Sequence, residues 1–261
     1  MLQPWQTGKI IRIEQEAEQT RRFWIQIPAL QSFDFKPGQF VTLDLPIHEK
    51  LNKRIRSYSI ASWPDGTNII ELVIVLLEGG AGTTYLFNEC NVGSELTLRG
   101  PQGIFTLPEP ITKDLFFICT GTGIAPFRAM SHHILNHNIA HRDIYLIFGC
   151  RTFNDALYRQ ELTELAEKIP QFHYIPTFSR EKPAPDNPLL RTGYVHAIYE
   201  EICRGSASTN APDPSSQAIE PMPPYPASFF LCGWKNMIDE AKQRIQALGY
   251  DRKSIHQELY G

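Results

Sequence analysis

A glycine-rich segment in the middle of the chain has the residue types and spacing of a phosphate-binding turn. Gly121-Thr122-Gly123-Ile124-Ala125-Pro126 follows a short apolar run, residues 115–119, and precedes a stretch with helical periodicity. Glycines let a phosphate approach the backbone closely, and the free N–H groups at the start of a helix attract it. Pro126 suits a first helical turn, where no donor is needed. The segment favours a dinucleotide pyrophosphate site; the alternative is an ordinary glycine-rich turn between a strand and a helix.

Ser179 and Arg180 form a second candidate phosphate contact. They follow residues 172–178, the third predicted parallel strand of the second half, and so should lie at the carboxyl edge of its sheet, where ligands of such sheets bind. A hydroxyl beside a guanidinium suits a phosphate monoester, which arginine can bind with two hydrogen bonds. We therefore expect the 2′-phosphate of NADP(H) rather than the free ribose of NAD. The alternative is an exposed Ser-Arg loop.

Two segments of the first half could hold another cofactor. Arg56-Ser57-Tyr58-Ser59 lies in a predicted strand, whose alternation places Arg56 and Tyr58 on one face. A cation and an aromatic side chain there can cover a flat flavin ring and neutralise its phosphate. Gly79-Gly80-Ala81-Gly82-Thr83-Thr84 precedes a short helix and could form an anion-binding nest with Thr83 as its cap. The alternatives are an amphipathic strand and a flexible hairpin loop.

The predicted secondary structure that must position these segments differs between the two halves of the chain. The first half contains six β-rich runs separated by turn formers, which predicts a closed antiparallel barrel. The second half alternates strands with helices, which predicts βαβ units and a parallel, Rossmann-like sheet. The runs of the first half are residues 8–13, 21–27, 40–45, 55–61, 69–77 and 95–98. In the second half we expect strands at 115–119, 144–148, 172–178 and 229–232 and helices at 125–136, 155–168, 194–203 and 235–248.

The change of pattern sets the expected domain boundary. It falls between Pro101 and Pro110, which gives a barrel domain of residues 1–108 and an α/β domain of residues 109–261. Residues 205–227 are rich in proline and serine and lack periodicity, so we expect a surface insertion between a helix and a strand.

Composition limits the classes of function. The chain has 261 residues, 42% of them hydrophobic, and a net charge of −3, which gives no general reason to expect nucleic acid or an anionic membrane as a partner. The start shows no signal peptide, and the longest apolar runs, such as 69–77, are too short to cross a bilayer. The five cysteines have no metal-site spacing. We expect a cytoplasmic protein with free thiols and no metal, and we expect a monomer.

Taken in order, these segments resemble the ferredoxin–NADP reductase family of flavoproteins over essentially the whole chain. Three more motifs carry the resemblance: Arg99-Gly100-Pro101 with Gly103, Cys232-Gly233 with Met237, and Glu258-Leu259-Tyr260. The resemblance implies an antiparallel barrel that holds FAD and a parallel-sheet domain that binds NADP(H). Residues 72–76 depart from it, because they lack the basic residue that family members often carry before the second phosphate motif.

The resemblance also implies roles for individual residues. Arg56 would bind the FAD pyrophosphate, Tyr58 would pack against the flavin, and Ser59 would lie beside its reactive N5. Glu258 and Tyr260 match the end of the chain in plant-type members, where the tyrosine stacks over the flavin. The catalytic candidates are Ser59, Cys232, Glu258 and Tyr260, and the remaining FAD-binding candidates are Ser57, Gly80, Gly82, Thr83 and Thr84.

The second set of implied roles concerns NADP(H). Thr122 would lie near the nicotinamide, which Cys232 would face, and Tyr194 would pack beside the adenine. The remaining candidates are Gly121, Gly123, Arg151, Ser179, Arg180 and Gly233. Plainer alternatives exist: Cys232 as a core thiol, Tyr194 as a half-buried helix residue, and Tyr260 as a frayed tail.

The resemblance implies an FAD-dependent oxidoreductase that takes hydride from NADPH. No iron–sulfur or flavodoxin-like domain is expected in the chain, so electrons would pass to a separate carrier, ferredoxin or flavodoxin. Such carriers are usually acidic, and Lys50, Lys53 and Arg54 are candidates for docking them; ordinary solvated charges are the alternative. Two other functions stay open: a flavin reductase that releases its flavin, and an electron-transfer subunit of a multicomponent oxygenase.

Overall fold

The computed structural model describes residues 3–182, 191–208 and 225–260, and these residues form two compact units. Most of the predicted insertion at 205–227 lies outside the described residues. The first unit combines Met1–Glu109 with Ile124–Ile139 and Leu157–Leu165, and the second combines Pro110–Gly123 with Ala140–Ala156 and Ala166–Gly261.

The first unit contains a six-stranded antiparallel sheet, in the spatial order β4-β3-β6-β1-β2-β5. Just beyond the end of β4, the N–H of Ala61 donates to the carbonyl of Glu71 in β5 at 2.8 Å, so the two outer strands meet and the sheet closes as predicted. Its strands are β1 (Gln6–Ala17), β2 (Thr20–Gln26), β3 (Phe40–Asp44), β4 (Ile55–Ser59), β5 (Ile69–Val75) and β6 (Glu95–Gln102).

Alternation of apolar and polar residues in strands such as β2 supplies the buried interior of the barrel. Phe23 and Ile25 in β2 are fully buried, whereas Arg22 and Trp24 between them are only partly covered. Val41 and Leu43 in β3 face the same interior and are also fully buried. Burying one face of every strand stabilises the closed sheet, since each large side chain removed from water contributes about 1.5–3 kcal/mol.

Two helices join the barrel in the first unit. Helix α1 (Ala81–Asn88) connects β5 to β6, and helix α2 (Ala125–His137) follows the glycine-rich segment. Arg128 of α2 donates hydrogen bonds to the carbonyl of Ala61 and to the carboxylate of Glu71, which attaches this helix to the barrel. The first residues of α3 (Arg159–Lys168) also belong to this unit.

The second unit contains a parallel sheet in the spatial order β10-β9-β8-β7-β11-β12, which confirms the Rossmann-like prediction. Its central strands are almost entirely buried, as expected for strands covered on both faces. The strands are β7 (Asp114–Thr120), β8 (Ile144–Cys150), β9 (Phe172–Phe178), β10 (Arg191–Thr192), β11 (Ala227–Trp234) and β12 (Ile255–Tyr260), and two further helices are α4 (Val195–Ser208) and α5 (Lys235–Ala247).

Strand β12 was not predicted. Its backbone pairs with β11 in parallel register up to Tyr260, which lies opposite Trp234, so the segment is a strand rather than a frayed tail. The sequence Ile255-His256-Gln257-Glu258 is mostly polar and lacks the alternation that marks the other strands. It is ordered by pairing with an apolar neighbour rather than by its own hydrophobic pattern.

Candidate nucleotide-binding sites

In the first unit, the structure brings Arg56 against the start of helix α1. A Cβ atom at Gly82 would lie 3.1 Å from Cγ and 3.3 Å from Nε of Arg56, so the absence of a side chain lets the guanidinium lie along the first helical turn. Nη1 of Arg56 donates to the carbonyls of Lys53 at 3.1 Å and Ile55 at 2.7 Å, which fixes its position. A helix start and a guanidinium together are suited to a pyrophosphate.

Thr83 does not cap helix α1, contrary to the prediction. Gly80 occupies the N-cap position, and Thr83 lies inside the first turn. Its hydroxyl accepts a hydrogen bond from the N–H of Leu77 at 3.1 Å and lies 3.1 Å from the carbonyl of Gly80, to which it can donate. Thr83 therefore holds the glycine loop closed, while Thr84 begins the regular helix bonds through its N–H to Gly80.

The side chains of β4 lie as the alternation predicts. Tyr58 packs against the barrel core, and burial raises its pKa to about 12, although nearby Arg56 acts to lower it. The phenol thus stays neutral at physiological pH. Ser57 is exposed and its hydroxyl lies 3.3 Å from that of Thr42, whereas Ser59 is buried. The roles of Tyr58 and Arg56 at a flavin ring, and of Ser59 beside it, stay predictions.

In the second unit, the glycine-rich segment has the geometry of a close turn between a strand and a helix. Strand β7 ends at Thr120, a 3-10 helix spans Gly121–Ile124, and Pro126 lies in the first turn of α2, as predicted. Gly121 has φ +54°, in the left-handed region that favours glycine. A Cβ at Gly123 would lie 2.3 Å from the carbonyl oxygen of Cys232, so only glycine fits there.

The turn packs against the end of β11. Gly233 has φ +141°, and a Cβ there would lie 2.4 Å from Oγ1 of Thr120. The N–H of the next residue, Trp234, donates to the same hydroxyl at 3.4 Å. Close packing therefore requires glycine at positions 123 and 233, whereas the positive φ favours glycine at position 121. Sequence reasoning missed Trp234, although its position directly after Cys232-Gly233 was visible.

A cluster of predicted NADP(H) residues forms at the carboxyl ends of β8 and β9. The N–H of Ser179 donates to the carbonyl of Cys150 at 3.0 Å, and that of Arg180 donates to the carbonyl of Arg151 at 2.9 Å. Thr192 pairs with the last residue of β9, so Tyr194 follows nearby and is 73% exposed. Arg151, Ser179 and Arg180 are also exposed. Two guanidinium groups, a hydroxyl and an aromatic ring are thus presented to solvent together.

The remaining catalytic candidates lie on adjacent strands. Cys232 and Glu258 are register partners in β11 and β12, so the structure brings them side by side. The side chain of Cys232 is completely buried, which is what the core-thiol alternative requires. The side chain of Tyr260 lies outside the described part of the chain. A role for any of the three at the nicotinamide stays a prediction.

The residues at each candidate site are compatible in charge with a nucleotide cofactor. Arg56 and the start of α1 supply positive potential beside the ring-packing surface of Tyr58, as FAD requires. In the second unit, the space above Gly121 contains no described atom within 4 Å except Nε1 of Trp234 at 3.9 Å, apart from its chain neighbours. That space and the nearby N–H groups form a cradle of the kind that a pyrophosphate occupies.

A buried charge network in the first unit was also missed. Glu71, only 3% exposed, accepts hydrogen bonds from Arg22 at 2.6 Å, from Arg128 at 3.0 Å and from the hydroxyl of Tyr158 at 2.7 Å. Arg128 also donates to both carboxylate oxygens of Glu161, at 2.6 and 3.0 Å. The network joins β2, β5, α2 and the segment before α3. Glu71 stands in an apolar run, and the sequence does not show which cations it meets.

The charges within the network offset the cost of burial. Burial acts to raise the pKa of Glu161, but hydrogen bonds from His132 and Arg128 outweigh it and lower the pKa to about 2. His132 in turn stacks on Trp63, with the ring centroids 3.7 Å apart. Burial raises the pKa of Tyr158 well above its usual range, so its hydroxyl remains a donor. Glu161 is therefore held ionised and the Tyr158 phenol neutral across the physiological range.

Within the described ranges, no helix is both long and apolar enough to span a bilayer, and no group of three or more histidine, cysteine or acidic side chains could hold a metal ion. The five cysteines are free.

Comparison with known proteins matches both units to domain families. Residues 7–107 match the oxidoreductase FAD-binding domain, and residues 117–243 match the oxidoreductase NAD-binding domain. The first match covers nearly all of the antiparallel barrel, and the second covers the parallel sheet from β7 to β11 but not β12. The fold and the two sites thus define an oxidoreductase that binds FAD and a nicotinamide dinucleotide.

Individual relatives identify the family of oxidoreductases more closely. The chain is 34% identical over 231 residues to ferredoxin–NADP reductase B of Sorangium cellulosum, covering 88% of this chain and 87% of that protein. The chain therefore belongs to the ferredoxin–NADP reductase family. It is also 34% identical over 230 residues to the reductase component of propane 2-monooxygenase from Mycolicibacterium goodii, covering 87% of this chain but only 60% of that protein.

A solved structure shows the same fold. The ferredoxin NADP+ reductase of Neisseria gonorrhoeae, with bound FAD and NADP, matches with a TM-score of 0.75 over 98% of both chains at 24% identity.

Proposed function

We propose that this chain is an NADPH-dependent reductase that delivers electrons from FAD to a separate one-electron carrier. The observation that carries the choice of NADPH is the cluster of Arg151, Ser179 and Arg180 at the ends of β8 and β9. Two guanidinium groups and a hydroxyl suit the dianionic 2′-phosphate that distinguishes NADP from NAD. The exposed ring of Tyr194 beside them offers a surface for the adenine.

FAD, when bound, supplies the redox chemistry, because it can accept a hydride and release electrons singly. The residues of the chain bind the two cofactors and orient them. Arg56 and the start of α1 neutralise the FAD pyrophosphate, while Tyr58 packs on the ring as a neutral phenol. The turn at Gly121 and Gly123 presents backbone N–H groups to the dinucleotide pyrophosphate. Ser59, Cys232, Glu258 and Tyr260 orient the reacting rings, and none of them acts as a nucleophile.

The acceptor is proposed to be an acidic carrier, ferredoxin or flavodoxin. Lys50 and Lys53 are exposed beside the flavin-binding strand. Arg54 is a weaker docking candidate than the sequence suggested, because its Nε donates to Asp44 at 2.7 Å. Of these three candidates, the two lysines are the ones that we propose meet an acidic partner. A cytoplasmic location and a monomeric state are part of the same proposal.

The oxygenase relatives support a second function: an electron-transfer subunit that serves one partner enzyme. The match to the propane 2-monooxygenase reductase component favours it. An activity assay of the isolated chain discriminates between these two functions. A free-standing reductase reduces ferricyanide with NADPH when alone, whereas a subunit that depends on its partner does not. A flavin reductase, in contrast, would lose its flavin on dialysis.

The choice of cofactor is tested with Arg180→Ala. We expect the wild type to prefer NADPH over NADH in kcat/KM by at least about tenfold, and the variant to lose most of that preference, because a charge-assisted phosphate contact is removed. Arg204→Ala is the matched control, since Arg204 is exposed on α4 and pairs with Glu200. A wild type that prefers NADH would overturn the assignment of the 2′-phosphate site.

A further inference from the structure

Trp234 lies over the first glycine of the turn that we propose binds the dinucleotide pyrophosphate. Its Nε1 is 3.9 Å from the ideal Cβ position of Gly121 and, chain neighbours aside, is the only described atom within 4 Å of that position. The nearest part of the indole is thus its N–H edge, which is a hydrogen-bond donor. This donor lies beside the space that a phosphate bound at Gly121 would enter.

The backbone of Trp234 lies between two neighbouring strands, β7 and β12. Its N–H donates to Oγ1 of Thr120, and the preceding Gly233 adopts φ +141° against the same residue. Across the sheet, Trp234 is the register partner of Tyr260. The indole therefore projects from a rigid strand end rather than from a free loop, so its position beside Gly121 follows from the sheet.

The side chain is 54% exposed, which is unusual for the largest apolar residue. No residue of the described chain accepts a hydrogen bond from its Nε1. An anion at the turn would give this donor a charged acceptor, and the ring would exclude water from one side of that contact.

We propose that Trp234 is a binding residue for the dinucleotide, donating its indole N–H to the pyrophosphate held at Gly121. The inference rests on the proposed function, because it takes the turn at Gly121 as the pyrophosphate site. Trp234 supplies a side-chain donor in addition to the backbone N–H groups, and it binds the pyrophosphate, which NADP and NAD have in common. It therefore strengthens binding without selecting between them.

The test measures binding of NADP+ and of adenosine 2′-monophosphate by calorimetry, with Trp234→Phe as the variant. Phenylalanine keeps an aromatic ring but removes the donor. We expect the Kd for NADP+ to rise about tenfold to a hundredfold, the effect of losing one hydrogen bond to a charged group. The Kd for adenosine 2′-monophosphate, which has no pyrophosphate, should be unchanged. Trp5→Phe, which changes a partly exposed indole in the other unit, should alter neither.

Three results would overturn the inference. The first is an unchanged Kd for NADP+ in Trp234→Phe, and the second is tighter binding, which would make the indole an obstacle rather than a donor. The third is equal weakening of both ligands, which would indicate general disturbance of the unit. A wild type that binds neither ligand would overturn the proposed function, and this inference with it.

Discussion

The buried network around Glu71 should contribute strongly to the stability of the first unit. Glu71→Gln removes the charge shared by Arg22 and Arg128 but keeps the size of the side chain. Removing one member of a buried ion pair typically costs about 3–5 kcal/mol. Because Arg22 still lies 3.4 Å from Glu16, and Arg128 still meets Glu161, we expect about 3 kcal/mol, the lower end of that range.

A double-mutant cycle isolates the pair. Arg128→Met should also cost about 3 kcal/mol, since Glu71 retains Arg22 and Tyr158 as donors. The two variants remove the same contact, so the double variant should be less destabilised than the sum by about 1–3 kcal/mol. The assay is urea unfolding followed by circular dichroism, at one FAD concentration for all variants because ligand binding adds stability.

Arg191→Met is the matched control. Arg191 makes two hydrogen bonds to Glu201, but both side chains are largely exposed, so we expect a loss of under about 1 kcal/mol. The reasoning is refuted if Glu71→Gln and Arg128→Met each cost no more than this control, or if their effects simply add.

Two further predictions concern charge. The pKa of Glu161, lowered from 4.5 to about 2, means that its ionisation stabilises the folded state above about pH 4.5 and that this is lost as the pH falls toward 2, a change of roughly 3 kcal/mol. Unfolding measured between pH 6 and 3 should therefore depend less steeply on pH in Glu161→Gln than in the wild type; parallel curves would contradict this. Lys53→Glu should raise the apparent KM for ferredoxin and leave ferricyanide reduction unchanged, and an equal effect on both acceptors would exclude docking at this lysine.

Local patterns in the sequence predicted most of the fold. The barrel strands and the alternating strands and helices of the second half show the periodicities of their buried faces, so they were located to within a few residues. The glycine-rich turn between β7 and α2 was predicted from its residue types, and the structure shows close approach at Gly123 and Gly233 and a positive φ at Gly121. Ser179 and Arg180 were predicted to lie at the carboxyl edge of the sheet, and they do.

What the sequence could not show depends on pairing between distant segments. Strand β12 is mostly polar and pairs in register with β11, a distant segment of the chain. Glu71 and Arg128 are 57 positions apart, and nothing local indicates that they meet. Thr83 looked like a helix cap by composition, but its hydroxyl bonds to the loop at Leu77, and the helix begins two residues earlier. Tertiary contacts decided each of these cases.

The central claim is that the chain binds FAD and that NADPH reduces it. The most direct test is an anaerobic titration of the purified, dialysed protein with NADPH and with NADH, monitored by absorption spectroscopy. We expect a yellow protein with FAD bound, whose flavin absorbance is bleached rapidly by NADPH and at least about tenfold more slowly by NADH at equal concentration. A colourless protein that takes up no FAD when it is supplied, or bound FAD that NADPH fails to reduce, would contradict the account.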